Sequence, residues 1–148
     1  MQTATRFIDS PQRRWLDLLV GSVLISMLVF GSIYIYQLNN DARDLTLANE
    51  LALRGQQLST DHGCVACHTV DGSPGVGPSW LGMWGKTEML TTGEVVTVNE
   101  EYFSSSLRLA QRQVIAGYPN IMPYYFLPEE EVVALMEYAR QLANPQTP

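Results

Sequence analysis

The chain has 148 residues, 46% of them hydrophobic, and a net charge of −6. From Asn39 onward thirteen acidic residues face six basic ones, leaving −7; nucleic-acid phosphates would repel such a region, whereas a basic patch on a protein partner would suit it. The only two cysteines, Cys64 and Cys67, are too few for a disulfide framework, so their expected use is chemical.

Residues 1–14 form a short leader with Arg6, Arg13 and Arg14 against Asp9. Ser10-Pro11 reads as a helix start, a capping hydroxyl followed by proline at the first helical position. From Trp15 to Tyr36 the chain is almost wholly apolar, roughly 22 residues, which as a helix spans a hydrocarbon core of about 30 Å. The expectation is a transmembrane anchor over 15–38, with Asp17 in its first turn and Trp15, Tyr34 and Tyr36 at the interfaces. A cleaved signal peptide would have a shorter apolar core and a small-residue cleavage site, and Gln37-Leu38-Asn39-Asn40 offers none. Arginines ahead of the span put the N-terminus in the cytoplasm and the C-terminal domain on the periplasmic or extracytoplasmic side of the cell membrane. Ser22 and Ser26, one turn apart, and Gly21 and Gly31 could pack on another membrane helix or be ordinary content of a lone anchor.

A polar linker is expected over 39–46, then one domain over 47–144 and a short tail over 145–148. Leu47, Leu51 and Leu58 recur at helical spacing, predicting a helix over about 45–59, and Gly55 inside it points to a close packing contact. The stretch 71–85, DGSPGVGPSWLGMWG, has no periodicity and reads as a long loop wrapped around something. Thr92-Gly93 then Glu94–Val98 predicts a turn and a short strand. Asn99 is the expected cap of a helix running to about Ala110, with Glu100 and Glu101 in its first turn. A loop over 117–123 precedes the last helix, expected to begin at Pro128, bury Val132, Leu135, Met136, Ala139 and Leu142, and stop at Asn144-Pro145.

Cys64-Val65-Ala66-Cys67-His68 has the spacing of c-type haem attachment. Two thiols separated by two residues add across the haem vinyl groups, and the adjacent histidine reaches the iron as an axial ligand. A thioredoxin-like redox pair would need a βαβ setting, and a zinc site a further ligand better placed than His62, which reads as a solvated loop residue. Of the methionines, Met83, Met89, Met122 and Met136 are open as a sixth ligand. Met122 is favoured because Pro119 and Pro123 stiffen its loop, whereas Met136 lies on the apolar stripe of the last helix. Both iron and cofactor are thereby assigned: one covalent haem c on Cys64 and Cys67, with His68 and Met122 on the metal. The Pro78 carbonyl is the natural acceptor for the other ring nitrogen of His68. Trp80, Trp84, Tyr118, Tyr124, Tyr125 and Phe126 are candidates to wall the pocket.

These residues, with Gly77-Pro78, Gly82, Met122-Pro123 and the last helix, resemble class I cytochrome c over roughly 47–142. The likeness is closer still to the cytochrome c domain fused to subunit II of some haem-copper oxidases, through GCVACHTVDG at 63–72 and GYPNIMP at 117–123. The resemblance implies an all-α domain of three to five helices around the haem, Met122 as axial ligand and Pro78 supporting His68. Leu58 and Ser59 stand where the family usually has an aromatic residue near the Gly55 contact, which puts the seating of Tyr138 in question. The copper-binding domain of the oxidase subunit has no counterpart here, so the chain reads as a detached relay.

The expected function is one-electron transfer and not catalysis, by a subunit or dedicated relay of a respiratory or photosynthetic complex, either a terminal oxidase or a quinol-oxidising complex. Membrane lipid and other electron-transport proteins are the expected partners, and no nucleic acid. A freestanding tethered carrier is the alternative. The subunit reading leans on a flexible link of about seven residues that reaches only some 15 Å. A gas sensor or haem enzyme is the third reading, and it requires an open axial site.

Overall fold

A computed structural model describes residues 11–143. The expected cap Ser10, the leader arginine Arg6 and the stop at Asn144-Pro145 lie outside the described residues. The chain divides into two compact units, one up to Leu45 and one from Thr46. Helix α1, Pro11–Asp61, runs through both. The stretch expected as a polar linker over 39–46 is therefore helical, because Asp41 to Thr46 holds no glycine or proline to break a helix. The flexible-link estimate does not apply to it.

In the first unit every large apolar side chain from Trp15 to Leu38 is exposed. The most apolar 18-residue window of the helix has a mean hydropathy of 2.3 and none of it is buried, so this is no core helix of a soluble domain. It is long and apolar enough to cross a membrane, a test that a signal sequence also passes. Ser22 and Ser32 each donate to a carbonyl three residues back, which satisfies their hydroxyls within the helix itself.

The second unit is mostly helical. The last part of α1 is joined by α2, Glu100–Arg108, and α3, Glu129–Ala143. Asn99 caps α2, its side chain accepting from the Tyr102 amide at 2.9 Å, and Glu100 and Glu101 complement the helix dipole. A one-turn 3₁₀ segment, Ala110–Arg112, follows α2 where a continuous helix to Ala110 was expected. Pro128 caps α3 instead of opening it: its carbonyl accepts from Glu131 and Val132. The expectation of a purely α domain needs one amendment. Strands β1, Thr87–Met89, and β2, Val95–Thr97, pair antiparallel with Thr87 opposite Thr97 and Met89 opposite Val95. Only β2 was expected; β1 is a three-residue strand with no alternation long enough to read.

The core forms on α3. Val132, Leu135, Met136 and Ala139 are buried as the stripe predicts, and they gather Cys64, Trp80, Phe103 and Leu107 around them. Leu142 packs against this cluster but stays partly exposed. Full burial of each large apolar side chain contributes about 1.5–3 kcal/mol. Ala134, fully buried, marks where α1 crosses. A Cβ added to Gly55 would lie 2.0 Å from the Ala134 carbonyl oxygen and 2.8 Å from Tyr138 Cβ. The crossing needs glycine because the two backbones meet there. Beside it Ser59 is fully buried, its hydroxyl donating to the Gln56 carbonyl, and Tyr138 turns to an edge-on contact with Trp80 at 6.0 Å.

Candidate functional site

At the end of α1 the chain turns through Gly63 into a 3₁₀ turn, Cys64–Ala66. The amides of Cys67 and His68 both donate to the Cys64 carbonyl, at 3.1 and 2.9 Å. This winding turns Cys64, Cys67 and His68 toward one cleft. Cys64 is buried and Cys67 exposed, and the two are not bridged. Burial pushes the Cys64 thiol above its ordinary pKa.

The loop after this turn is fastened back onto it. Gly77 N donates to the Cys67 carbonyl at 2.9 Å, and Trp80 N and Ser79 Oγ donate to the Thr69 carbonyl at 2.8 and 3.0 Å. That fixes the Pro78 carbonyl 2.8 Å from His68 Nδ1. A carbonyl can only accept, so Nδ1 carries the proton and Nε2 is left with a free lone pair. Burial lowers the His68 pKa, while the bond to Pro78 opposes the shift; the balance favours the neutral ring that metal ligation needs. The ring is held flat against the backbone, since a Cβ on Gly77 would meet His68 Cε1 at 2.6 Å and Nδ1 at 2.8 Å. Trp80 lies 5.7 Å from the imidazole, centroid to centroid.

The cleft, about 390 Å³, is shared by this turn and loop, by α2 and by the 118–123 loop. Met122 lines it, and so does Met83. Met89 is 55% exposed and outside the lining, and Met136 belongs to the core. The four thioether candidates are therefore reduced to two. Trp80, Tyr118 and Tyr125 wall the cleft, but Trp84, Tyr124 and Phe126 do not. Trp84 instead carries the Arg140 guanidinium 4.8 Å above its ring, and Phe126 is 81% exposed.

Several residues at the site escaped the sequence reading. His62 is not a free loop residue: its Nε2 lies 2.9 Å from Glu131 Oε2, and its carbonyl accepts from the Tyr125 hydroxyl at 3.1 Å. Burial raises the Tyr125 pKa, with the nearby Cys64 and Cys67 adding to it. At the polar end of the cleft stand Lys86, Glu88, Tyr102 and Gln113. The Tyr102 hydroxyl donates to the Gln113 carbonyl at 3.2 Å, and its pKa is raised by burial and by the Glu88 carboxylate. Recognising β1 would have found two of these, because Lys86 and Glu88 are two apart and share one side of an extended segment.

Among the described residues no cluster of three His, Cys, Asp or Glu side chains could hold a metal ion, which leaves the cysteine pair without the partners zinc requires. A haem fits the donors present: two thiols, a neutral imidazole with Nε2 free, two thioethers and an aromatic wall on one cleft. Residues 52–143, which include the whole site, match the family model described as cytochrome c. No curated protein matches the chain.

Proposed function

Because the chain belongs to the cytochrome c family, whose members carry covalently attached haem c, we propose that it is a membrane-anchored monohaem electron carrier working within an electron-transport complex. The family supports haem-based electron transfer by a carrier and not by an enzyme. When bound, the haem supplies an iron that takes up and gives away one electron at a time.

The residues around it have separable tasks. Cys64 and Cys67 would hold the group covalently through their sulfurs, one in the core and one at the surface. His68 would present Nε2 to the metal because Pro78 occupies Nδ1. Met122 would present its sulfur from the other wall-forming loop. A histidine and a thioether on the same iron leave no place for a substrate and raise the potential, which suits a relay. Trp80, Phe103, Leu107 and Tyr125 exclude water from the cleft and lower its dielectric.

The single observation that carries this reading is the His68 Nδ1 to Pro78 bond at the edge of a cleft that also holds both cysteines and Met122. Its test is the absorption spectrum of the protein matured in a haem-attaching host. A low-spin spectrum with a weak sulfur-to-iron band at the red edge, lost in Met122→Ala and kept in Met83→Ala, is the expected result. Ready carbon monoxide binding by the reduced native protein would favour the sensor reading instead.

The anchor and its direction belong to the same proposal. The uncovered apolar stretch of α1 supports a single span, and the arginines ahead of it support a cytoplasmic N-terminus with the haem domain on the outer side. The likeness of 63–72 and 117–123 to the domain fused to oxidase subunit II supports a terminal oxidase, or else a quinol-oxidising complex, as its setting. Gentle solubilisation and then sizing of the haem-bearing species separates a complex subunit from a freestanding carrier.

A further inference from the structure

His68 and Met122 reach the cleft from different walls. His68 follows the attachment turn at the end of α1, and Met122 sits in the loop that leads into α3. The hydrogen bonds that hold the Met122 loop stay mostly on its own side. The Tyr125 amide donates to the Leu107 carbonyl on α2 at 2.8 Å, and Asn120 Nδ2 donates to the Gln111 carbonyl at 3.3 Å. The amides of Tyr118 and Ile121 close local turns onto the Ile115 and Pro119 carbonyls. Among the described residues, one hydrogen bond from residues 117–127 reaches the attachment wall. The Tyr125 hydroxyl donates to the His62 carbonyl at 3.1 Å.

That carbonyl is available because of where α1 stops. His62 lies just past Asp61, the last helical residue, and Gly63 turns the chain away with a φ of 74°. The amides of Gly63, Ala66, Cys67 and His68 bond to the carbonyls of Thr60, Gly63 and Cys64, so none of them serves His62. The acceptor is also held in place. His62 Nε2 lies 2.9 Å from Glu131 Oε2 in the first turn of α3, and the Tyr125 ring meets the imidazole edge-on, centroids 6.3 Å apart. Phenylalanine at 125 would fill the same space without the bond.

We propose that the Tyr125 hydroxyl is a positioning group for Met122: bonded to the His62 carbonyl, it clasps the Met122 loop to the attachment turn and so keeps the thioether in the cleft. This rests on the reading of Met122 as the sulfur ligand of the iron. Only Pro123 and Tyr124 separate the two residues, and the fixed φ of proline stiffens the link, so a pin at 125 is felt at 122. Swinging Met122 out of the cleft takes the loop off the attachment wall and breaks this bond. The clasp thus governs how firmly the sixth position is closed to other ligands.

Imidazole is the probe, titrated into the oxidised, full haem-bearing chain in neutral detergent. It displaces a thioether from the iron, and the sulfur-to-iron band reports the exchange. Tyr125→Phe keeps the ring and loses the hydroxyl. Its band should match the native one before titration, while its imidazole affinity rises about fivefold, the equivalent of one net hydrogen bond. Asn99→Ala, which weakens the domain through the α2 cap, should leave the affinity unchanged. In a Met122→Ala background, followed by the main haem absorption, adding Tyr125→Phe should change nothing, because the loop then holds no ligand to release. Unchanged affinity in Tyr125→Phe would overturn the clasp. So would an equal rise in Asn99→Ala, or the same rise in the Met122→Ala background, each of which would leave the hydroxyl a purely structural role. A sulfur band that survives in Met122→Ala would remove Met122 as the ligand, and the clasp with it. A polypeptide that takes up no haem would sink the electron-transfer reading itself, a failure distinct from a native band with an affinity that the hydroxyl does not move.

Discussion

At the scale of single residues the site turns on one hydrogen bond. The Pro78 carbonyl takes the Nδ1 proton of His68, and Gly77 lets the ring lie against the backbone while it does so. Gly77→Ala places a methyl inside the contact distance of the imidazole; it should destabilise the domain by about 1–3 kcal/mol, the usual cost of overpacking. The same change should weaken the red-edge sulfur-to-iron band, because His68 is displaced; thermal unfolding and absorption check the two effects. Tyr102 supplies a pH test. Its folded pKa is raised by burial and then by Glu88, so the unfolded chain loses its phenolic proton first, at about pH 10. The Tyr102 contribution is thus full below about pH 10 and is lost as pH climbs toward the folded value. Glu88→Gln should move that alkaline loss to lower pH, and Tyr102→Phe should remove it, both read from denaturant unfolding across the alkaline range. Cys64, Cys67, His68 and Pro78 were legible because their relation is local: two thiols and an imidazole within five residues, and an acceptor ten residues on. His62, Lys86, Glu88 and Tyr102 were not, since Glu131 reaches His62 only after α3 folds across and Glu88 reaches Tyr102 only after the hairpin forms.

Among the elements, the crossing of α1 and α3 holds the site together. Gly55 was readable as a packing contact because it interrupts a helix that otherwise has no reason for glycine. Its partner Ala134 was not, since an alanine among Val132, Val133 and Leu135 carries no signal of backbone approach. Gly55→Ala would gain helix propensity of about 1 kcal/mol and lose more to the clash with the Ala134 carbonyl. Net destabilisation of about 1–3 kcal/mol is expected on chemical unfolding, with no change in the spectrum of the molecules that remain folded. Asn99→Ala should cost about 1 kcal/mol by removing the α2 cap, measurable in the same way. The cap of α2 could be read because its capping side chain and first-turn charges agree, and the stripe of α3 because its apolar residues keep helical period. The hairpin partner strand and the helical course of 39–46 could not: three residues give no alternation, and a polar composition is as compatible with an exposed helix as with a linker.

Across the whole molecule, the sequence leads one to expect an apolar segment followed by a domain over 47–144, and the structure divides the chain into two compact units, one up to Leu45 and one from Thr46. Fold class was legible because the attachment motif and the last helix are specific; the lining of the cleft was not, because its runs, 72–85 and 113–128, are far apart in sequence and meet only in the fold. Membrane fractions should retain the haem-bearing chain through a high-salt wash and release it only to detergent, as an apolar span requires; release by salt would contradict the anchor. The most direct measurement is the mass of the matured polypeptide after denaturation, beside that of a Cys64→Ser, Cys67→Ser double variant. The native chain should keep the mass of one haem when unfolded and the double variant should keep none. A native chain of bare polypeptide mass, or one that releases its haem on unfolding, would contradict covalent attachment and the function built on it.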